Sequence, residues 1–406
     1  MSRTALVIGA GVAGSVAAIA LIEAGWDAEV FEADEQPAGL AQGAFLTLAV
    51  NGLHALGAVR ADHVARDLGF AAGQIRFVSA RGKDLGAMAS GPVLADGTSA
   101  RTVPRARLYA GLSGLAERRG ARFHHGRRLI TARSRGDGVE AVFAGGATAT
   151  GDVLIGADGV GSTVRAVIDP DAPAPAYTGM ANVGALTPPG RVDTAREAAD
   201  GDYRMIWGRR CVFGYTVTPE QEVWWYASPP ARRPLAPGDP RATDTAALRS
   251  GLTRLLAVDQ SPAAEIVAAT EGPILVSNQW EMAPVPRWHR DRMIIIADAA
   301  HAVSPATGQG VSLACEDAVT LAGHLRDQAD IAAAFAGYET DRRERVHRIT
   351  EMGAMMGGTK ALDPFGRVVR DLFLPRILGH LSAADMMTEM SWLYDHRIDW
   401  PADRRP

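Results

Sequence analysis

The first thirty-two residues constrain the fold more than any other stretch of this chain. Ala5-Leu6-Val7-Ile8 is strand-like, and Gly9-Ala10-Gly11-Val12-Ala13-Gly14 is a turn. Ser15 to Ala24 suits a helix ending at Gly25, and Ala28-Glu29-Val30-Phe31 is a second strand running into Glu32. Thr4 to Ile22 carries no charge, so a signal peptide or membrane span is the competing reading. Three glycines at this spacing suit a β-turn-α-β unit far better than a span. The first glycine permits a tight turn, the second lets a pyrophosphate approach the backbone, and the third lets helix and strand pack closely. Free amides at the helix start, those of Val12 and Ala13 included, favour phosphate charge. Glu32, with Ala33 beside it, lies eighteen residues beyond Gly14 and is placed to accept from a ribose hydroxyl. This predicts dinucleotide binding without separating NAD from FAD.

Composition removes other function classes. The 406 residues carry 42 Lys+Arg against 46 Asp+Glu, a net charge of -4, with 47% hydrophobic residues. That length holds two or three domains with a real core, and the balance gives no electrostatic case for nucleic acid. Lys83 and Lys360 are the only lysines, so the positive charge is almost all Arg, which reads as coding bias. Cys211 and Cys315 are too few for a disulfide framework or a zinc site, and no metal is expected. A cytoplasmic location is the default expectation.

Further along, Val50–Leu56 and Pro104–Arg119 read as helices, the latter with apolar Leu108, Leu112 and Leu115 on one face. Strand signals occur at Gln74–Val78, Ala121–His124 and Val139–Phe143. From Asp169 to Pro189 the composition shifts to Pro and Ala, read here as a domain crossing. Between there and Pro286, Tyr203–Trp207, Val212–Val217 and Glu222–Ala227 read as antiparallel strands. Val311–Leu325 is predicted helical, and Ile331–Trp400 mostly so.

Two more motifs each follow their own strand. Ile155-Gly156-Ala157-Asp158-Gly159-Val160-Gly161-Ser162-Thr163-Val164-Arg165 is one. Ile294-Ile295-Ile296-Ala297-Asp298-Ala299-Ala300-His301, followed by Pro305 and Gly308-Gln309-Gly310, is the other. With the first motif, these resemble the class A flavoprotein monooxygenases, the family with the para-hydroxybenzoate hydroxylase fold. The resemblance extends over most of the chain, including Trp224-Trp225 and the Trp392–Tyr394 region. It implies that the first motif holds the ADP half of FAD, and that Asp158-Gly159 with Ser162 and Arg165 shapes the cofactor region and is linked to NAD(P)H use. It also implies that Asp298 meets the ribityl chain, that Arg105 of Arg105-Ala106-Arg107-Leu108 reaches the FAD, and that the backbone near Leu129 contacts adenine. Two departures stand out. Ala297 occupies a position where close backbone approach favours glycine, and Gln42-Gly43-Ala44-Phe45 replaces a Gly-rich turn near the isoalloxazine, placing Gln42 at the flavin edge.

The expected fold is therefore α/β: a Rossmann-like FAD-binding domain (1–73, 101–172 and 285–330), a discontinuous antiparallel-sheet substrate domain (74–100 and 173–284) and a helical C-terminal region (331–406). The helix start at Gly310 and Val311, after Pro305 and Gly308, would stabilise the anionic reduced flavin. The resemblance implies a single-component cycle in which NADPH or NADH reduces FAD and a flavin C4a-hydroperoxide passes one oxygen atom from O2 to an aromatic or polycyclic small molecule. Hydroxylation and epoxidation both stay open. So do NADH against NADPH, and monomer against homodimer. No residue is assigned a catalytic role.

The substrate is expected against the antiparallel sheet, with Met205, Trp207, Phe213, Tyr215 and Trp225 as candidate contacts; the plain alternative is ordinary sheet core. Alternation puts Phe213 and Tyr215 on one face and sends Trp224 and Trp225 to opposite faces. Few charges fall on these strands, which favours an apolar substrate over a small carboxylate. His301 is expected to be structural and Cys315 a buried apolar residue. The competing functions are a reductase or dehydrogenase of the same fold acting on an unsaturated lipid-like substrate, and a flavin-retaining binding protein. Flavin-dependent halogenation would require a Trp-x-Trp-x-Ile-Pro element, which is absent.

Overall fold

The computed structural model describes residues 3–35, 44–94, 96–193, 201–236, 239–357, 364–380 and 388–401. The uncharged N-terminal run folds as the strand Thr4–Ile8, a glycine turn and the helix Val12–Glu23, whose residues Val12 to Leu21 are all buried. No described helix is long and apolar enough to cross a membrane.

Four parallel strands set the frame. Thr4–Ile8 lies between Asp27–Phe31 and Val153–Gly156, and Val153–Gly156 pairs in turn with Met293–Ile295. Ile8 stands opposite both Phe31 and Gly156, and Gly156 stands opposite Ile295. The strands thus end at one level, and the loops that follow them (at Glu32, Gly9, Ala157 and Ala297) share one edge of the sheet. Arg122–His124 extends this six-stranded sheet in parallel at one end, and His289–Arg290 closes the other antiparallel. Thr4–Ile8, Val153–Gly156 and Met293–Ile295 are almost wholly apolar, as strands buried inside a parallel sheet demand, while Asp27–Phe31 keeps Asp27 exposed and Glu29 half-buried.

A seven-stranded sheet faces that edge. It runs in the order Leu275–Glu281, Ala176–Thr187, Val223–Ser228, Val212–Val217, Tyr203–Trp207, Gln74–Ser79 and Asp84–Ala89. Every pairing is antiparallel except Tyr203–Trp207 with Gln74–Ser79. Two features of this region were not read from the sequence. The Pro/Ala-rich 169–189 stretch contains the twelve-residue strand Ala176–Thr187; its register shifts between Tyr177 and Ala181, around Gly179 at φ +77°. That bulge interrupts the alternation that would have revealed the strand. The stretch before Pro286 is not all strand: the helices Thr245–Leu256 and Ala263–Ala268 pack on one face of the sheet.

The long helices Gly310–Asp327 and Ile331–Gly357 complete the core, followed by Pro364–His380 and Ser391–Tyr394. A buried ionic cluster joins the first two. Arg342 binds Glu316 at 2.7 Å and Asp317 at 2.7 Å, and Arg345 binds Glu316 at 2.8 Å. Asn51 donates to Glu316 at 2.6 Å, while Arg345 also donates to the carbonyls of Trp392 and Leu393. Burial alone would raise the Glu316 carboxyl, but Arg342 and Arg345 outweigh it and hold the group at about 2.

Candidate functional site

A cavity of about 770 Å³ opens between the loop edge of the parallel sheet and the seven-stranded sheet. Its volume lies within the range of small-molecule sites. Each loop reaches it for an identifiable reason.

Gly9 adopts φ +102°, and a Cβ there would lie 2.5 Å from the Ala157 carbonyl oxygen. A Cβ on Gly14 would lie 1.8 Å from the Gly9 oxygen, so this glycine is what lets the helix sit on the strand. Gly11 differs, since nothing lies within 4 Å of the place its Cβ would take. Gly9, Gly11, Val12 and Ala13 line the cavity, and Gly14 supports them from behind. The Glu32 carboxylate accepts from the amides of Ala10 at 2.8 Å and Asp34 at 3.0 Å, tying the turn to the next strand. A carboxylate has about four acceptor sites, so capacity remains for a ligand hydroxyl. Ala33 and Leu129 line the same end.

Asp158 sits half-buried in the second loop, where it lines the cavity. It accepts from Ser162 Oγ at 2.5 Å and from the amides of Thr163 at 2.7 Å and Val164 at 3.2 Å, capping the helix Thr163–Ile168. Burial pushes its carboxyl up and these hydrogen bonds pull it back. Arg165 donates to the carbonyls of Ala299 at 3.0 Å and Val160 at 2.6 Å, clamping the second loop to the third.

In the third loop, Ala297 takes φ +54°, the left-handed region that favours glycine. Its amide donates to Asp317 Oδ2 at 2.8 Å, and that carboxylate also holds His301 Nε2 at 2.6 Å. His301 is therefore a structural strut. The bend turns Asp298 into the cavity, open to the lumen and enclosed elsewhere. Burial raises its carboxyl, opposed by the nearby His301 and Arg105. Pro305, Gly308, Gly310 and Val311 line the cavity at the start of the helix Gly310–Asp327. Arg105 does so from the start of the helix Arg105–Arg118, donating to Tyr109 Oη at 2.9 Å. Gln42 lies outside the described residues.

The sheet wall departs from expectation. Met205 lines the cavity, but Phe213, Tyr215 and Trp225 do not: they face away, into a second core with Leu252, Leu256 and Ile266. Trp207 lies on the Met205 side but past the lumen, tilted against Phe77 with ring centroids 4.9 Å apart and beneath Arg370. The wall is instead built by Tyr203, Met205 and Tyr226, with Phe45, Phe77 and Met88 beside them and Met390, Leu393 and Tyr394 from the C-terminal segment. Tyr203 Oη is engaged by Thr47 at 2.7 Å and Thr102 at 2.8 Å, and burial pushes its phenol up to about 12. Sequence alternation held the signal for Tyr226, because it must face opposite to Trp225. What it could not supply was which face the helices Thr245–Leu256 and Ala263–Ala268 cover. Arg127 and Arg128 also reach the cavity near Glu32, and the His124-His125-Gly126-Arg127-Arg128 run was the available hint.

The FAD binding domain family model matches residues 2–352. The chain is 30% identical over 351 residues to the FAD-dependent urate hydroxylase of Klebsiella pneumoniae, covering 84% of this chain and 86% of that protein. It is 30% identical over 401 residues to kynurenine 3-monooxygenase of Stenotrophomonas maltophilia, covering 86% and 78%. The structure of Klebsiella pneumoniae HpxO with FAD and uric acid superposes with a TM-score of 0.82 at 25% identity, covering 96% of this chain and 95% of that one.

Proposed function

The chain belongs to the class A FAD-dependent aromatic hydroxylases, and on that premise we propose that it uses NADPH or NADH and O2 to place one oxygen atom on an aromatic or polycyclic small molecule held against the seven-stranded sheet. The observation that carries this reading is the shared cavity: glycine and acid loops from adjacent parallel strands form one wall, and a largely aromatic sheet face forms the other.

The residues fit FAD. The open floor at Gly11, Gly159 and Gly308 is space that a Cβ would begin to fill, and the Asp298 carboxylate faces the lumen without a hydrogen-bond partner among the described residues. The amides of the Gly9–Gly14 turn and the N-terminus of Val12–Glu23 would hold the pyrophosphate. Glu32 would take the ribose, Leu129 the adenine edge and Asp298 the ribityl chain. The amides of Gly310 and Val311, at the positive end of their helix dipole, would stabilise negative charge on the reduced ring. Asp158 and Arg165 act one step back, fixing the second and third loops relative to each other. When bound, FAD supplies the electron transfer from the nicotinamide and the activation of oxygen. The chain's own contribution is orientation and exclusion of water, with the Met390–Tyr394 segment walling the lumen.

The test is a visible spectrum of the purified protein, anaerobic reduction by NADPH or NADH, and oxygen uptake measured with product. Bound flavin and oxygen uptake matched by hydroxylated or epoxidised product are expected. Nicotinamide-dependent reduction of an unsaturated substrate without oxygen in the product would replace this reading with the reductase; absence of flavin would overturn it.

A further inference from the structure

The two halves of the cavity differ in charge. The lining drawn from the seven-stranded sheet, the strand Phe45–Leu48 and the C-terminal segment contains no charged side chain among the described residues. Charged lining residues come from the cofactor loops and their surroundings, Glu32, Asp158 and Asp298 among them. Arg105 is the exception in position: it follows Pro104, the cross-strand partner of Phe45, lines the cavity at the border with the cofactor loops, and donates to Tyr109 Oη at 2.9 Å.

Within this uncharged half, Tyr226 is set apart by how it is seated. Gly214, its cross-strand partner in Val212–Val217, has no side chain, and a Cβ there would lie 2.4 Å from the Tyr226 ring and 2.8 Å from its hydroxyl. A glycine inside a central strand weakens it, so the position calls for a close approach. The approach it permits is the Tyr226 ring lying across the strand toward Met205, which stands opposite Gly214 on the other side. There the Tyr226 hydroxyl donates to the Met205 sulfur at 3.1 Å, its one hydrogen bond among the described residues. A thioether is a weak acceptor, readily exchanged for an oxygen. Burial, then Tyr203, raises the phenol, so it is neutral and able to donate. The Tyr203 hydroxyl, by contrast, is already held by two threonines.

We propose that the substrate is an uncharged, flat apolar ring system bearing a phenol or carbonyl oxygen, and that Tyr226, laid over Gly214, is the side chain that hydrogen-bonds that oxygen. A carboxylate seated against the sheet wall beside Tyr226 would lose its water with no charged residue of that wall to replace it, at a cost that favours an uncharged ring. The inference rests on the monooxygenase reading and sharpens its substrate class.

Three probes of one shape test it: 2-naphthol, 2-methylnaphthalene and 2-naphthoate, titrated into the FAD-loaded protein and followed by perturbation of the flavin spectrum. We expect 2-naphthol to bind at least about tenfold more tightly than 2-naphthoate, as a buried unpaired charge requires. Tyr226→Phe should weaken 2-naphthol about fivefold to twentyfold and leave 2-methylnaphthalene unchanged. Gly214→Ala, which displaces the ring without removing its hydroxyl, should weaken 2-naphthol likewise. Equal or tighter binding of 2-naphthoate overturns the inference. So does an equal effect of Tyr226→Phe on the hydroxyl and methyl probes, or binding of none of the three. A protein that carries FAD and couples oxygen uptake to product yet prefers the carboxylate keeps its monooxygenase function and loses only this inference. A protein without flavin loses both.

Discussion

The two faces of the seven-stranded sheet carry similar aromatic residues and do different work. On one face Phe213, Tyr215 and Trp225 pack against the helices Thr245–Leu256 and Ala263–Ala268, and Trp225 Nε1 donates to Thr270 Oγ1 at 3.0 Å. Trp225 is completely buried there. On the other face Tyr203, Met205 and Tyr226 look into the cavity, and Trp224 packs on Phe45 and Phe70 beside it. Residue type does not separate these roles. What separates them is whether a helix covers the face, so the same aromatic side chain is core in one place and binding surface in the other.

The sharpest way to break the comparison is Trp225→Ala. It should cost about 3–5 kcal/mol, read as a lower urea midpoint, because a large buried side chain is removed and the Thr270 hydroxyl loses a partner. The folded fraction should still hold flavin; loss of flavin at matched stability would mean the helix-covered face is not separate from the site.

The next largest effect falls on the wall opposite the sheet, which is held by charge rather than by aromatic packing. Glu316 titrates at about 2 in the folded protein and near 4.5 when unfolded, so its stabilisation is complete above pH 4.5 and fades as pH falls toward 2. The loss should be on the order of 3 kcal/mol across that window. Denaturation midpoints measured from pH 5 downward check it, and Glu316→Gln should flatten the slope while lowering stability at neutral pH.

Asp298→Ala tests the cofactor side of the lumen and should weaken FAD about tenfold to a hundredfold, with Glu32→Ala acting in the same direction. Equilibrium dialysis against free FAD reads this, and full retention in both variants would remove the loop assignments. The smallest effect is expected from Ala297→Gly. Relief of the left-handed backbone is offset by the greater freedom of glycine in the unfolded chain, leaving a net gain below about 1 kcal/mol. A marked loss of stability or flavin would show that the Ala297 methyl is packed for a purpose.

The cofactor side was legible because its information is local. The Gly9–Gly14 turn, Asp158 and Asp298 each follow a strand of their own, and a glycine turn that ends a strand and opens a helix has few other uses. The substrate wall was not legible in the same way. Alternation told which of Phe213, Tyr215, Trp225 and Tyr226 share a face, but which face meets the lumen depends on where the helices Thr245–Leu256 and Ala263–Ala268 return, tens of residues later. The strand Ala176–Thr187 was hidden for a related reason: its bulge at Gly179 breaks the period-two pattern, and only pairing with neighbours on both sides makes it a strand.

The sequence by itself determined the parallel β-α-β frame, the order of the three loops and the family, because turn stereochemistry and strand hydrophobicity are properties of short segments. The tertiary structure alone decided that Ile8, Phe31, Gly156 and Ile295 end at one level and bring those loops to a single lumen. It alone joined Glu316, Asp317, Arg342 and Arg345 into one buried cluster. It alone laid Tyr226 across Gly214. Each of these depends on register and packing between segments far apart in the chain, which no local pattern encodes.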